Sequence, residues 1–285
     1  MLTPEDLRQI QRLHVQVGRR VSGLVAGEYR SAFKGSGMEF EEVRPYVPGD
    51  DVRRIDWNVT ARTGEPFIKE FREERELTLL IAFDVSGSVR FGSGGTDGRT
   101  DKRLQMARVA GSLAWAAMRS SDRVGLLTFT DRVERYVPPR RSRGHAWQVI
   151  QSAFERDGAD RGTDLAVALG HITRVLKRRA VVVVLSDFLC RKPWHTEMGA
   201  LSRRHRVHAF VVHDPRESAF PDVGLVALRD AETGQVRTVD AAALRSRLTP
   251  EARLTELRRL GARASMVSTA DDAFHRLEQH FRGTR

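Results

Sequence analysis

The sequence predicts an α/β protein with a Rossmann-like fold, in which a mostly parallel central sheet is flanked by helices. Short, strongly apolar stretches recur along residues 77–285 and are rich in valine, leucine and isoleucine, which is typical of strands buried on both faces. Stretches with apolar residues at helical spacing alternate with them, as expected for parallel strands joined by crossover helices. With 285 residues, 40% of them hydrophobic, the chain is long enough to bury a large core.

Two segments precede this alternating pattern. Apolar residues at every third or fourth position predict a helix over residues 4–21. Residues 22–65 are rich in glycine and charge and have no clean periodicity, so we expect an irregular segment there, followed by a short strand at 66–71. We therefore divide the chain into residues 1–76, which hold the helix and the irregular segment, and residues 77–285, which hold the α/β domain.

Within the α/β domain, short apolar runs bounded by turn residues predict strands, and longer amphipathic runs predict helices. The predicted strands cover residues 77–83, 124–130, 180–185, 207–212 and 264–267, with a short edge strand at 133–137. The predicted helices cover residues 104–118, 145–154, 165–176, 194–204, 241–260 and 271–281. Residues 225–228 and 236–239 flank Glu232-Thr233-Gly234-Gln235 and predict a hairpin.

Oxygen-bearing side chains follow two of the most apolar strands. The loop Asp84-Val85-Ser86-Gly87-Ser88 comes directly after the strand at 77–83, and Asp187 follows the strand at 180–185. Ligands bind at the carboxyl ends of the strands in open α/β sheets, and carboxylate and hydroxyl oxygens suit a hard divalent cation such as Mg²⁺. We expect Thr163, just before a predicted helix, to lie at the same edge. We therefore predict one metal site, formed by Asp84, Ser86, Ser88, Thr163 and Asp187.

Helix capping is the alternative explanation for these residues. Serine, threonine and aspartate often follow strands because their side-chain oxygens accept hydrogen bonds from the free N–H groups of the next helix. Capping accounts for any one of the five residues about as well as a metal does. It accounts less well for all five in this order, two of them immediately after strongly apolar strands.

The five residues resemble the metal-ion-dependent adhesion site of the von Willebrand factor type A domain, which combines an Asp-x-Ser-x-Ser loop, a threonine and a later aspartate. More specifically, residues 27–88 resemble the prokaryotic domain-of-unknown-function family fifty-eight. The matching motifs, which we call the signature segment, are Gly35-Ser36-Gly37-Met38-Glu39-Phe40, Arg44-Pro45-Tyr46-Val47-Pro48-Gly49-Asp50-Asp51 and Arg53-Arg54-Ile55-Asp56-Trp57.

The resemblance implies both a ligand set and a partner. It implies that Ser86, Ser88 and Thr163 bind the metal directly and that Asp84 and Asp187 bind it directly or through water, with Mg²⁺ as the first choice and Mn²⁺ or Ca²⁺ as alternatives. The remaining position would take an Asp or Glu of a protein partner. Members of this family tend to occur beside AAA+ ATPases of the MoxR class, so the implied function is that of a non-enzymatic partner or adaptor of such a motor.

Two enzyme classes fit the sequence poorly. A phosphatase of the haloacid dehalogenase type would use Asp84 as nucleophile and needs an acid two residues later, where this chain has Ser86, a poor proton shuttle. A serine hydrolase needs a Gly-x-Ser-x-Gly elbow, which Ser86 lacks. We therefore expect no enzymatic activity and keep a Mg²⁺-dependent phosphatase as an alternative.

The charge balance raises a further alternative. With 48 basic and 37 acidic residues, the net charge of +11 could attract nucleic acid. The arginines are scattered along the sequence without interleaved aromatic residues, which disfavours nucleic-acid binding. The single cysteine, Cys190, excludes an internal disulfide and a multi-cysteine zinc site. No apolar run approaches the length of a membrane span and no leader is visible, so we expect a cytoplasmic protein.

Overall fold

The computed structural model describes most of the chain from residue 39 onward. The described residues are 8, 39–72, 77–91, 100–155, 162–190, 192–218, 224–229, 234–240 and 250–282. The predicted helix over 4–21 lies outside them apart from Arg8, as does the first half of the helix predicted over 241–260. The chain divides into two compact units, Phe33–Glu76 and a larger one that includes Leu77–Arg285.

The smaller unit contains regular structure, so the prediction of an irregular segment over 22–65 was wrong for its described part. Strand β1 (Glu39–Pro45) pairs antiparallel with β2 (Phe67–Arg72), and helix α1 (Trp57–Thr63) lies between them in sequence. The strand predicted at 66–71 is confirmed as β2. Strand β1 was missed because its hydrogen-bond partner is more than twenty residues away in sequence and its own residues lack strand periodicity.

Acidic residues of the signature segment stabilise this smaller unit locally. Asp50 accepts two hydrogen bonds from the Arg44 guanidinium, at 2.7 and 2.9 Å. Arg44 thereby holds the pKa of Asp50 at about 2, below its usual value. Asp56 caps α1 by accepting from the N–H groups of Asn58 and Val59, and it pairs with Lys69 at 3.3 Å.

The larger unit is built on a six-stranded sheet, which confirms the predicted mostly parallel α/β architecture. Its strands are β3 (Thr78–Asp84), β4 (Arg123–Phe129), β5 (Val133–Arg140), β6 (Val181–Ser186), β7 (Arg206–His213) and β10 (Arg263–Ser268). Their order in the sheet is β10-β7-β6-β3-β4-β5, with β5 at the edge as predicted, and every neighbouring pair is parallel except β4 and β5. The predicted hairpin consists of β8 (Leu225–Arg229) and β9 (Val236–Asp240).

Helices lie at the predicted places, with ends that differ by about two residues except for the helix predicted over 241–260, of which only the part from Pro250 is described. They are α2 (Lys102–Arg119), α3 (Arg143–Phe154), α4 (Leu165–Val175), α5 (His195–Arg204), α6 (Pro215–Ser218), α7 (Pro250–Arg259) and α8 (Ala273–Arg282). The sequence did not predict α6, which is too short for a periodic pattern.

The core lies on both faces of the sheet. Leu80 and Ala82 of β3 belong to a cluster that includes buried side chains of α4, α5 and α7. Helix α2 packs against α3 and α8. Residues on both faces of β3, Leu79 to Phe83, are fully buried, which explains why this strand is continuously apolar. No helix in the described part of the chain has the length and apolar character needed to cross a bilayer.

Candidate metal centre

The predicted site lies where the strand order reverses. Strand β3 has β4 on one side and β6 on the other, both parallel to it, so the loops that follow β3 and β6 leave the sheet at the same edge. Such a switch point forms a crevice in which α/β proteins bind ligands. Asp84 ends β3, and Asp187 follows the last residue of β6, so two carboxylates lie at neighbouring strand ends. Both side chains are completely buried.

Asp84 is held by hydrogen bonds from Ser86 and Ser186. Its Oδ1 accepts from the backbone N–H of Ser86 at 2.9 Å, and its Oδ2 accepts from the hydroxyl of Ser186 at 2.6 Å. The Ser186 hydroxyl in turn accepts from the N–H of Phe188 at 2.9 Å. These contacts fix the carboxylate in one orientation. Among the described residues, no lysine, arginine or histidine forms an ion pair with Asp84.

The two serines of the loop connect the carboxylates. The hydroxyl oxygens of Ser86 and Ser88 lie 3.2 Å apart, and the Ser88 hydroxyl hydrogen-bonds Asp187. Ser86 precedes the short 3-10 turn Gly87–Arg90, but its side chain caps no N–H group of that turn. Capping therefore does not explain Ser86.

Asp187 accepts hydrogen bonds from several other residues. Its Oδ1 accepts from the N–H of Leu189 at 3.0 Å, and its Oδ2 accepts from Nζ of Lys102 at 2.7 Å. The guanidinium of Arg253 donates to its backbone carbonyl. The next residue, Phe188, has a φ of 55°, a left-handed conformation that is rare for a bulky side chain. Strained conformations of this kind concentrate at functional sites, where surrounding contacts hold them.

Thr163 reaches the same edge through backbone contacts. Its neighbour Asp164 donates its N–H to the carbonyl of Thr130, just after β4, at 2.9 Å. The carbonyl of Thr163 accepts from Cys190 Sγ, just after β6, at 3.1 Å. Thr163 is buried. The threonine therefore lies between the loops that follow β4 and β6, while Asp164 takes the capping role at the start of α4.

The two carboxylates differ in pKa. Burial raises the pKa of Asp84 to about 7, and the charge of Asp187 adds to the rise, although hydrogen bonds from Ser186 and Ser86 oppose it. Burial would also raise the pKa of Asp187, but the Lys102 ammonium and the hydrogen bonds from Leu189 and Ser88 hold it below its usual value. The cluster thus contains one buried carboxylate with an ammonium partner and one without.

This donor set fits a divalent cation. Two carboxylates and three hydroxyls supply only oxygen ligands, which Mg²⁺, Mn²⁺ and Ca²⁺ bind. A buried carboxylate is costly unless a cation or hydrogen bonds compensate it, and Asp84 has hydrogen bonds alone.

Lys102 and Glu217 are parts of this region that sequence reasoning missed. Lys102 is 1% exposed, and its Nζ lies 2.6 Å from Glu217 Oε1 as well as 2.7 Å from Asp187. The composition gave one indication that Lys102 is a special position. Only five of the 48 basic residues are lysine, so a lysine is unusual in this chain.

A second feature of the larger unit is a cavity of about 910 Å³ between the end of α2 and the start of α3. Trp115 and Trp147 line it together with Arg119, Arg141 and Arg143. The sequence suggested that the arginines are not interleaved with aromatic residues. The fold brings the two types together here because α2 packs against α3.

Comparison with protein families gives a match over most of the chain. The family described as "Protein of unknown function DUF58" matches residues 42–258. Uncharacterized protein Rv1480 of Mycobacterium tuberculosis is 35% identical over 236 residues, which cover 82% of this chain and 73% of that protein.

Two solved structures share the fold. The conserved hypothetical protein BatB from Bacteroides thetaiotaomicron aligns with a TM-score of 0.50 and 16% identity, over 73% of this chain and 98% of that one. An aerotolerance-related membrane protein from Bacteroides fragilis, crystallised with multiple mutations to serines, aligns with a TM-score of 0.52 and 18% identity, over 73% and 99% of the two chains. At these identities the likeness concerns the fold alone.

Proposed function

The chain belongs to the DUF58 family, and we propose that it is a protein-interaction module whose binding depends on a divalent cation. The residues that would hold the cation are Asp84, Ser86, Ser88, Thr163 and Asp187. Mg²⁺ is our first choice because the set contains only hard oxygen ligands, and Mn²⁺ or Ca²⁺ are the alternatives.

The observation that carries this proposal is the pair of fully buried carboxylates at adjacent strand ends. Each uses its Oδ1 to accept a loop N–H, from Ser86 and from Leu189. The second oxygens have other partners, because Oδ2 of Asp84 accepts from the Ser186 hydroxyl and Oδ2 of Asp187 accepts from Lys102. Only Asp187 has an ammonium there, and the repulsion between two desolvated carboxylates would be relieved by a cation between them.

The serine and threonine hydroxyls explain why the site suits adhesion. Being neutral, they leave a bound divalent cation with net positive charge toward an incoming Asp or Glu of a partner protein. The hydrogen bond between Ser86 and Ser88 and the bonds to Asp84 orient these ligands before binding, which reduces the entropic cost of forming the site.

We propose a non-enzymatic role, which the residue at position 86 supports. A phosphoryl-transfer reaction with Asp84 as nucleophile needs a proton donor near the leaving group, and the serine at this position does not titrate in the useful range. We propose that the cluster binds a partner without transforming it. Release of phosphate from a phosphoester in the presence of Mg²⁺, abolished by Asp84→Asn, would contradict this.

For the partner we propose an AAA+ ATPase of the MoxR class, on the strength of the family resemblance. ATP is a cytoplasmic nucleotide, so this partnership would place the chain in the cytoplasm. The electropositive site would take an acidic side chain exposed on the ATPase or on a protein that the ATPase remodels.

The first experiment measures cation binding and then partner binding with the same protein. Isothermal titration with Mg²⁺ and Mn²⁺ should show one site, which Thr163→Ala weakens. Thr130→Ala is the matched control, because it removes another buried hydroxyl of this edge, one that donates to Glu134 at 2.6 Å. Capture of the MoxR-class ATPase encoded in the same genome should then require the divalent cation and fail in a chelator.

Each outcome has a defined meaning. Equal capture of the ATPase with Mg²⁺ and with chelator would refute cation-dependent adhesion. Absence of Mg²⁺ or Mn²⁺ binding at millimolar concentration would refute the site itself. Cation binding without ATPase capture would retain the module and reject this partner.

A second candidate function rests on the cavity between α2 and α3. Indole rings offer stacking surfaces for bases, and guanidinium groups bind phosphates, so two tryptophans with three arginines suit single-stranded nucleic acid. Neither Arg119 nor Arg143 forms an ion pair or side-chain hydrogen bond with any residue that the structure describes.

Fluorescence polarisation with labelled oligothymidylate at low salt tests this second function. Affinity should fall steeply with added salt, and Trp147→Ala together with Arg143→Ala should weaken it at least tenfold. Absence of binding at low salt, or binding that these variants leave unchanged, would reject it. Chelator should have no effect, which separates this function from the first.

A further inference from the structure

A buried lysine lies against the proposed cation site. Lys102 is the first residue of α2, and its Nζ donates to Asp187 Oδ2 at 2.7 Å and to Glu217 Oε1 at 2.6 Å. Burial deprives the ammonium of water, and at this position it also faces the positive end of the helix dipole. The two carboxylates compensate both costs, so they hold Lys102 where it is.

Lys102 and a divalent cation would compete for the same carboxylate. Asp187 belongs to the proposed ligand set, and it is completely buried. A cation at this site would be repelled by the adjacent ammonium, since charges interact strongly where water is excluded. Lys102 therefore opposes cation binding for as long as its own charge is not balanced elsewhere.

Glu217 provides that balance. Its Oε2 accepts from the backbone N–H of Asp214 at 3.2 Å, so it is anchored to the loop after β7 and not to a loop that carries a proposed ligand. Its side chain is 10% exposed. Glu217 can therefore stay with Lys102 when Asp187 binds a cation.

The charges then match in pairs. With a cation bound, the two negative charges of Asp84 and Asp187 balance the two positive charges of the ion. The negative charge of Glu217 then balances the positive charge of Lys102. Without a cation, Lys102 is shared between Asp187 and Glu217. The Arg253 guanidinium, which donates to the backbone carbonyl of Asp187, adds a positive charge that is present with and without the cation.

From this arrangement, which rests on the proposed cation site, we propose that Lys102 is a built-in counter-ion of Asp187. It holds Asp187 in the cation-free protein and pairs with Glu217 alone when a cation binds. The pair Lys102 and Glu217 thereby sets the cation affinity of the site, and both act as positioning residues.

The test is to titrate the whole chain and two single variants with Mn²⁺ and to monitor binding by electron paramagnetic resonance. Lys102→Met removes the competing charge and should raise Mn²⁺ affinity about tenfold or more, by analogy with the effect of one neighbouring charge on an ionisable group. Glu217→Gln leaves the ammonium without its second partner and should lower the affinity by a similar factor. A merely structural ion pair predicts a loss of affinity in both variants.

Three further variants complete the design. The double variant Lys102→Met/Glu217→Gln should return to an affinity near that of the wild type. Lys192→Met is the matched control, because Lys192 pairs with Asp164 at 2.7 Å near the same edge but is 65% exposed, so its charge is screened and its removal should change little. If Lys102→Met does not fold, Lys102→Gln, which keeps a donor for both carboxylates, replaces it.

The outcomes separate this inference from the proposed function. If the wild type and all variants bind Mn²⁺ equally, the inference is wrong while the cation site stands. If both single variants bind more weakly, Lys102 is only a structural element. If the wild type binds no Mn²⁺ at millimolar concentration, the site fails and the inference fails with it.

Discussion

Replacement of Asp84 by asparagine should stabilise the cation-free protein while it abolishes cation binding. Asparagine has nearly the same shape, can accept the Ser86 N–H through Oδ1, and can donate to the Ser186 hydroxyl through Nδ2. It removes the negative charge that burial and Asp187 make unfavourable. The variant therefore tests whether this carboxylate is kept for binding at the expense of stability.

The magnitude follows from the pKa of Asp84, which is 3.8 in an exposed chain and about 7 here. Since the folded-state pKa is raised, the ionised group destabilises the fold, fully above pH 7 and not at all below about pH 4. The cost is about 4 kcal/mol at pH 8 and about 2 kcal/mol at pH 5. Without a cation, we expect Asp84→Asn to be more stable than the wild type by amounts of this order, with the difference shrinking as the pH falls.

Urea unfolding in chelator and in 10 mM Mg²⁺, at both pH values, measures these differences. Mg²⁺ should stabilise the wild type in proportion to its binding and leave the variant unchanged. Asp214→Asn is the control, since Asp214 follows β7, is equally buried and also accepts from a hydroxyl at 2.6 Å, that of Thr269, but does not belong to the proposed cation site. If Asp84→Asn is less stable than the wild type at pH 8 in chelator, the assignment of Asp84 as a destabilising charge is wrong.

Three further predictions concern the scaffold. Gly125→Ala should reduce the free energy of unfolding by about 1–3 kcal/mol or more, because a Cβ there would lie 2.6 Å from the carbonyl oxygen of Val137. A lower urea midpoint would show this loss. Leu113→Ala should cost about 2–5 kcal/mol, since this side chain of α2 is fully buried. Burial lowers the pKa of His280 to about 4, so the wild type should lose up to about 3 kcal/mol as the pH falls from 6.5 to 4. His280→Gln should remove that loss in chemical denaturation, and an unchanged pH profile would contradict it.

The order of strands and helices in the larger unit could be predicted because it depends on local patterns. A strand buried on both faces, such as β3 or β6, must be continuously apolar, and a helix with one buried face must repeat every three or four residues. The carboxylates could be placed for the same reason. Asp84 and Asp187 stand where an apolar run ends, and parallel strands end at one edge of the sheet.

Interactions between distant segments could not be predicted in this way. Strand β1 was missed because its stability comes from hydrogen bonds to β2 and not from its own pattern. The tryptophans and arginines of the cavity come from two segments, the end of α2 and the start of α3 with the residues just before it, which β4 and β5 separate in sequence.

Lys102 shows most clearly the difference between what local sequence patterns determine and what contacts between distant segments determine. In the sequence it is one basic residue at the start of a helix, a position that suggests exposure to water. In the fold it is buried against Asp187, 85 positions later, and Glu217, 115 positions later. The kinds of ligand and the strand ends that carry them follow from the linear pattern, because burial of each strand is a local requirement. The charge that balances these ligands was decided by tertiary structure alone, because electrostatic energy depends on distance in space.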